Sequence, residues 1–198
     1  MRIPAIAMLA CTVAFPAVAE DWGGFYVGGS GFAAGGSTFR ETWSSTPAAF
    51  AGVGMDFRAG YLFEAGPIAL GVEALYAPLP LTGRLDFSNG GWWEFTIHHP
   101  LTVRGRVGLP ADRFLPYAAA GATFADFTYN NTADGAATVS TVGLHLATGV
   151  EWAASENVVL GLEAATVLFP QSTFDHSGWI THATPTPLQL GLTARYRF

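Results

Sequence analysis

The feature that most constrains this chain is an apolar residue at every second position, returning in six separate segments with charge confined to the other phase. The last segment, LQLGLTARYRF (188–198), sets Leu188, Leu190, Leu192, Ala194, Tyr196 and Phe198 against Gln189, Gly191, Thr193, Arg195 and Arg197. Successive side chains of a strand point to opposite faces, so this pattern describes a strand with one oily and one polar side. The final residue is an aromatic ring on the oily side, where a soluble domain usually ends in polar, frayed residues.

The same phase recurs along the chain. GVGMDFRAGYLF (52–63) places Val53, Met55, Phe57, Ala59, Tyr61 and Phe63 opposite Asp56 and Arg58. IALGVEALY (68–76) places Ile68, Leu70, Val72, Ala74 and Tyr76 opposite Glu73. FTIHHPLTVRGRVGL (95–109) sets Phe95, Ile97, His99, Leu101, Val103 and Val107 against Thr96, His98, Thr102, Arg104 and Arg106, with Glu94 just before on that second face. Pro100 cannot donate to a ladder, which predicts a bulge or distortion there. TVGLHLATGVEW (141–152) opposes Val142, Leu144, Leu146, Val150 and Trp152 to His145 and Glu151, and VVLGLEAATVL (158–168) opposes Val158, Leu160, Leu162 and Ala164 to Glu163. Two further segments, GGFYVGGSGFAAG (23–35) and FLPYAAAGATFAD (114–126), are too rich in small residues for their register to be read.

Three tight, turn-forming connections (64–67, 110–113, 154–157) alternate with four long ones (about 36–51, 77–92, 126–140 and 169–186). An even number of strands with short turns on one rim and long loops on the other is the layout of a transmembrane barrel. Mean hydropathy is +0.31, yet after residue 19 no apolar stretch approaches the roughly 18–20 residues of a membrane helix. A lipocalin-like barrel would show the same periodicity with the oily face inward. The charges separate the two. The polar faces carry Asp56, Glu73, Glu94, Glu151 and Glu163 against Arg58, Arg104, Arg106, Arg195 and Arg197, interleaved with glycines. All nine basic residues are arginine. Balanced acids and arginines suit a narrow interior filled by paired side chains, with His145 joining that network. The fold expected is therefore all-β: an eight-stranded antiparallel up-and-down transmembrane β-barrel with lipid outside. Aromatics bunch at the segment ends: Tyr61, Phe63, Phe114, Tyr117, Trp152, Tyr196 and Phe198 near the short turns, and Tyr76, Trp92, Trp93, Phe95, Phe124, Phe127, Tyr129 and Phe169 near the long loops. Two belts at the membrane interfaces are the expectation.

The first residues, MRIPAIAMLACTVAFPAVAE, combine Arg2, an apolar run and Ala17-Val18-Ala19 before an acidic pair. This is the pattern of a secretory signal peptide, expected over 1–19, with the barrel domain over 20–198. An uncleaved anchor is the alternative. The only cysteine, Cys11, lies in that segment, so no disulfide is expected in the mature chain. A net charge of −6 without basic clusters gives no footprint for nucleic acid.

With these residues in view, the chain resembles the small eight-stranded outer-membrane barrels of Gram-negative bacteria, OmpA-like and OmpX-like in shape. DWGGFYVGGSGF (21–32) is similar to the start of alphaproteobacterial opacity-type surface porins. The resemblance implies a bacterial outer-membrane location, periplasmic termini, extracellular long loops, and contact with outer-membrane lipid and lipopolysaccharide. It also implies that Ala194, Tyr196 and Phe198 form a C-terminal assembly signal read by the outer-membrane assembly machinery. Where the family often carries glycine five residues before the end, this chain has Thr193.

Some eight-stranded barrels are enzymes that act on lipid A, and such chemistry would need a nucleophile with a base and an acid. The nearest candidate is FDHSGW (174–179), with Asp175, His176 and Ser177 adjacent. Neighbours in sequence do not form a relay in which a base contacts a nucleophile and is oriented by an acid, unless the loop folds tightly. The five histidines show no metal-ligand spacing, and His98 and His99 are expected on opposite faces of one strand. No catalytic residue, cofactor or metal is therefore assigned. The function expected is a surface-exposed outer-membrane anchor whose four loops meet an extracellular partner. A narrow porin-like channel and a lipid A-modifying enzyme are the rivals.

Overall fold

A computed structural model of the chain describes residues 21–40, 48–86, 90–132, 135–176 and 179–198. The signal segment, Trp43 and Ser177 lie outside the described residues. Among the described residues ten strands form: β1 (Gly24–Arg40), β2 (Ala48–Ala65), β3 (Ile68–Tyr76), β4 (Leu81–Asp86), β5 (Trp92–Gly108), β6 (Phe114–Asn131), β7 (Gly135–Ala153), β8 (Val158–Leu168), β9 (Ser172–His176) and β10 (Trp179–Arg197). Eight of them are the staves of a closed antiparallel barrel in the order β1-β2-β3-β5-β6-β7-β8-β10, with β10 pairing back to β1 from Tyr26↔Arg197 to Arg40↔Ala183. The two short strands are additions at the long-loop end: β4 lies on β5 and β9 on β10.

The eight staves coincide with the six alternating segments and the two small-residue ones, and the oily phase faces outward. Leu188, Leu190 and Leu192 are 62–68% exposed and Phe198 is 73% exposed, while Arg195 and Arg197 on the same strand are buried. Val53, Phe57, Val72, Val103, Leu144 and Leu162 are likewise outside, and the acids and arginines between them inside. Such a surface is stable only in hydrocarbon, and closure of β10 onto β1 removes the two free edges that an open sheet would expose there.

Three features depart from the sequence expectation. First, the staves at the long-loop end run further than their hydrophobic stretches. β6 and β7 stay paired from Phe114↔Trp152 to Asn131↔Gly135, so the connection expected over 126–140 is a long hairpin ladder. Polar pairs hold this extension, with Thr128 bonded to Thr138 at 2.9 Å and Ser140 donating to Asp126 at 2.6 Å. Alternation with polar residues on the outer phase therefore reads as loop although it is strand.

Second, β5 carries the expected irregularity at Pro100, and its effect is large. His98 pairs Asp126 while Leu101 pairs Phe124, so β5 spends one more residue than β6 across this point. His99 adopts φ +43° there. One extra residue exchanges the two faces. Below the bulge Thr102, Arg104 and Arg106 point inward; above it Trp93, Phe95 and Ile97 do, not the face of Glu94 and His98. Glu94 is thus removed from the interior set, and Phe95 and Ile97 from the lipid face. The rings of His98 and His99 come within 6.0 Å of each other, because the bulge undoes simple alternation.

Third, the aromatic belt at the long-loop end is mostly inside. Only Tyr76 and Phe124 of that group are among the well-exposed residues, while Trp93, Phe95, Phe127, Tyr129 and Phe169 are buried. At the short-turn end Tyr61, Phe63, Phe114, Trp152, Tyr196 and Phe198 are outside as expected, but Tyr117 is inside. Its phase was hidden by the small residues of β6.

Candidate functional site

The interior is filled in three tiers, each set by strand register. At the short-turn end Trp22, fully buried, packs with Leu62, Leu115, Ala153 and Val159, residues that flank the three tight turns. The Trp22 backbone N–H donates to Glu64 at 2.7 Å. Arg197 closes this end by donating to the Glu156 carbonyl at 2.6 Å and to the Asp21 carbonyl, with its guanidinium 5.8 Å from the Trp22 ring. Of the sequence-assigned interior residues, Arg197 therefore sits at the rim and ties the chain ends together.

The middle tier is an ion-pair network. Arg58 grips Asp56 with two bonds of 3.0 Å, and Ser30 donates to the same carboxylate. Arg104 lies directly opposite Glu73 in the β3–β5 ladder and reaches it at 2.6–2.7 Å. Glu163 gathers Arg104 at 2.5 Å, Tyr117 Oη at 2.6 Å and Arg58 at 3.4 Å. Glu151 bridges Arg106 and Arg195, each at 2.7 Å. Tyr26 donates to Glu73 at 3.1 Å and lies under Arg195, while Arg106 lies over Tyr117 at 4.0 Å. Four carboxylates and four guanidinium groups thus neutralise one another where a lone charge would cost many kcal/mol. Tyr26, Tyr117 and Ser30 add hydrogen bonds to this network, while Arg104 Nη1, Arg106 Nε and Arg195 Nε and Nη1 have no hydrogen-bond partner among the described residues. The tyrosines and Ser30 were not identified from sequence, since Tyr26 and Ser30 lie in the glycine-rich first segment, whose phase was unreadable.

Glycines make this density possible. Gly28 pairs with both Arg58 and Arg195, and Gly121 with both Arg104 and His145. A Cβ at Gly28 would collide with the Arg195 backbone, and one at Gly121 with the Arg104 backbone and Val103 carbonyl. Large charged groups are placed beside absent side chains, the small-next-to-large filling of a narrow barrel.

The third tier is an aromatic plug at the long-loop end. Phe127 and Phe169 meet with ring centroids 4.6 Å apart, Phe95 and Phe127 at 5.1 Å, and Phe174 of β9 packs on Phe95 at 6.5 Å. All four stand in edge-to-face geometry, the favourable arrangement for aromatic pairs. Sequence showed these rings bunched at one end but not that the bulge and the extended hairpin turn them inward. β9 brings Asp175 and His176 into a hairpin with the start of β10.

Between plug and network lies a cavity of about 60 Å³, reached by residues of every stave. His145 is buried on its floor, level with Arg104 across Gly121, and its Nδ1 has no hydrogen-bond partner. It therefore stands beside the network without closing it.

Comparison with known proteins agrees with this architecture. Residues 3–198 match the family model described as outer membrane protein beta-barrel domain. A 22 kDa outer membrane protein of Rhizobium leguminosarum bv. viciae is 32% identical over 146 residues, which cover 73% of this chain and 63% of that protein, just under two thirds of its length. Among solved structures, the outer membrane protein OprG of Pseudomonas aeruginosa superposes with a TM-score of 0.63 at 14% identity, over 91% of this chain and 98% of that one. Neisserial surface protein A gives 0.54 at 15% identity, over 88% and 97%. The closed eight-stave barrel, its oily exterior and the family match converge: this chain belongs to the outer membrane protein beta-barrel domain family, whose members reside in the bacterial outer membrane.

Proposed function

We propose that the protein is a non-conducting, non-enzymatic anchor of the outer membrane that presents its long-loop end outward. The observation that carries this reading is the filled interior. A water path along the axis would have to pass Trp22, the eight-membered ion-pair network and the plug around Phe127, all of them buried. Moving those arginines aside would strand carboxylates in a low-dielectric interior, so a fluctuating channel is disfavoured by several kcal/mol. With the termini on the periplasmic side, the extended β6–β7 hairpin and the β4 and β9 additions rise from the outer surface. There they meet lipopolysaccharide or an extracellular partner. Ala194, Tyr196 and Phe198 lie on the outward face of β10, where an assembly machine can read them before the barrel closes. The test is conductance in planar bilayers: the purified barrel leaves the baseline current unchanged. Discrete, reproducible steps from the folded protein would instead establish the porin-like alternative.

A further inference from the structure

Among the described residues the ladder of the barrel wall is interrupted at two places toward the long loops: between β7 and β9, above Leu144↔Leu168, and between β2 and β4, the second of which opens onto a cavity. The β2–β3 ladder ends at Phe57↔Tyr76, although β2 continues to Ala48 and stays paired to β1 throughout. On its other side, β2 above Phe57 faces residues 77–80, which include Pro78 and Pro80, and then β4, whose ladder is with β5 alone. Prolines have no N–H to offer a neighbouring strand, so a seam in the ladder is built into the sequence here. What bridges it is a side chain: Leu81 lies against Gly52, its Cδ1 3.0 Å from where a Cβ would stand.

Height matters. From Tyr61, in the girdle of the short-turn rim, to Val53 is eight residues. At about 3.3 Å per residue and a tilt near 40° this is roughly 20 Å, inside the ~25 Å apolar band of such barrels. Val53 is itself 80% exposed and apolar. The seam therefore opens toward lipid tails, in the half of the bilayer nearer the long loops.

Behind the seam is the cavity above the ion-pair network. Leu79 lines it and is also 51% exposed on the outside, so the cavity and the lipid face share this residue. Leu75, Leu79 and Leu81 form an apolar approach; Asp56, Glu163 and His145, whose Nδ1 has no hydrogen-bond partner among the described residues, form the floor. A space of about 60 Å³ is four to six times what one water needs on the same measure.

We propose that this seam and cavity bind an uncharged single-chain amphiphile with a hydroxyl head, taken laterally from the membrane. The two floor carboxylates repel an anionic head, and their guanidinium partners are already engaged. A hydroxyl can donate to a carboxylate and complete the bonding of His145, while the chain lies along the three leucines. This inference deepens the anchor reading and rests on the barrel being membrane-embedded and closed.

The test uses the full-length protein folded into phospholipid vesicles, with a diazirine-bearing long-chain alcohol as probe. On illumination, residue-level mass spectrometry is expected to find adducts at Leu79, Leu81 and His145 that unlabelled 1-decanol competes away. His145→Leu, which removes the polar floor group, and Thr123→Phe, which fills the cavity, each lower these adducts at least fivefold. Unheated gel mobility verifies folding of each variant. Labelling confined to outward residues such as Val53 and Leu101, equal in all three proteins, overturns the proposal and means that the cavity holds water only. Conductance of the same vesicles separates the two readings: a closed barrel without internal adducts defeats this inference alone, whereas a conducting barrel defeats the anchor itself.

Discussion

Glu151→Leu is the most informative single perturbation. Glu151 Oε2 accepts from Arg106 and from Arg195, each at 2.7 Å, with all three side chains at most 2% exposed. Removing it leaves Arg195 without an ion-pair partner among the described residues, and Arg106 with Glu73 at 3.8 Å. Two buried cations would then face each other without the anion between them. Breaking a buried pair in this way costs about 3–5 kcal/mol, or two to nearly four powers of ten in the folding equilibrium. The triple replacement Arg106→Met, Glu151→Leu, Arg195→Met removes all the charges with little change in volume and is expected to recover most of the loss, since apolar substitutes for a buried ion-pair triad are often neutral or better. The assay is urea unfolding in lipid vesicles, followed by tryptophan emission and by the unheated gel mobility of the barrel. A Glu151→Leu midpoint equal to that of the parent would refute the reasoning, because it would mean that water, not the arginine–carboxylate lattice, satisfies these charges.

Other outcomes follow from the same geometry. Gly121→Ala drives a methyl into the Arg104 backbone and is expected to destabilise the barrel by ~1–3 kcal/mol, read as reduced yield of the heat-modifiable form; unchanged yield and urea midpoint would show that the stave can move aside. Leu192→Arg puts a guanidinium on a face that is 68% exposed, with an expected penalty of ~2–4 kcal/mol if that face is at mid-bilayer. The same urea titration checks it, and no penalty would place the residue outside the hydrocarbon. Removal of Phe198 is expected to lower the amount of folded barrel in the outer-membrane fraction of cells several-fold while refolding in detergent persists, and equal amounts in cells would exclude an assembly role.

Most of the fold was legible because a barrel in lipid has a strict rule: each inward polar residue alternates with an outward apolar one. β2, β3, β7, β8 and β10 obey it, and their acids and arginines lie where alternation puts them. The rule is silent where both phases are small, so the phase of β1 and β6, and with it Tyr26, Ser30 and Tyr117, stayed hidden. It misleads where the count is interrupted. Pro100 signalled a defect in β5, but whether a defect adds a residue, and so reverses the faces, depends on pairing with β6. Alternation alone misplaces Glu94, Phe95 and Ile97 for that reason. The plug was hidden for a related cause: above the hydrocarbon, outward residues become polar and inward ones aromatic, the inverse of the signal below.

The extra residue between His98 and Leu101 means that β5 is written in two opposite parities. Its lower half hands arginines to the lumen on even positions; its upper half hands rings to the lumen on odd ones. A stave of this kind separates two sets of demands within one continuous strand. Substitutions among Trp93, Phe95 and Ile97 can reshape the outer stopper while leaving the charges around Arg104 and Arg106 in place. The spacing of His99 and Pro100, by contrast, serves both halves at once, so the tolerance of this protein to change should be lowest at a pair of residues that belong to neither the stopper nor the lattice of charges.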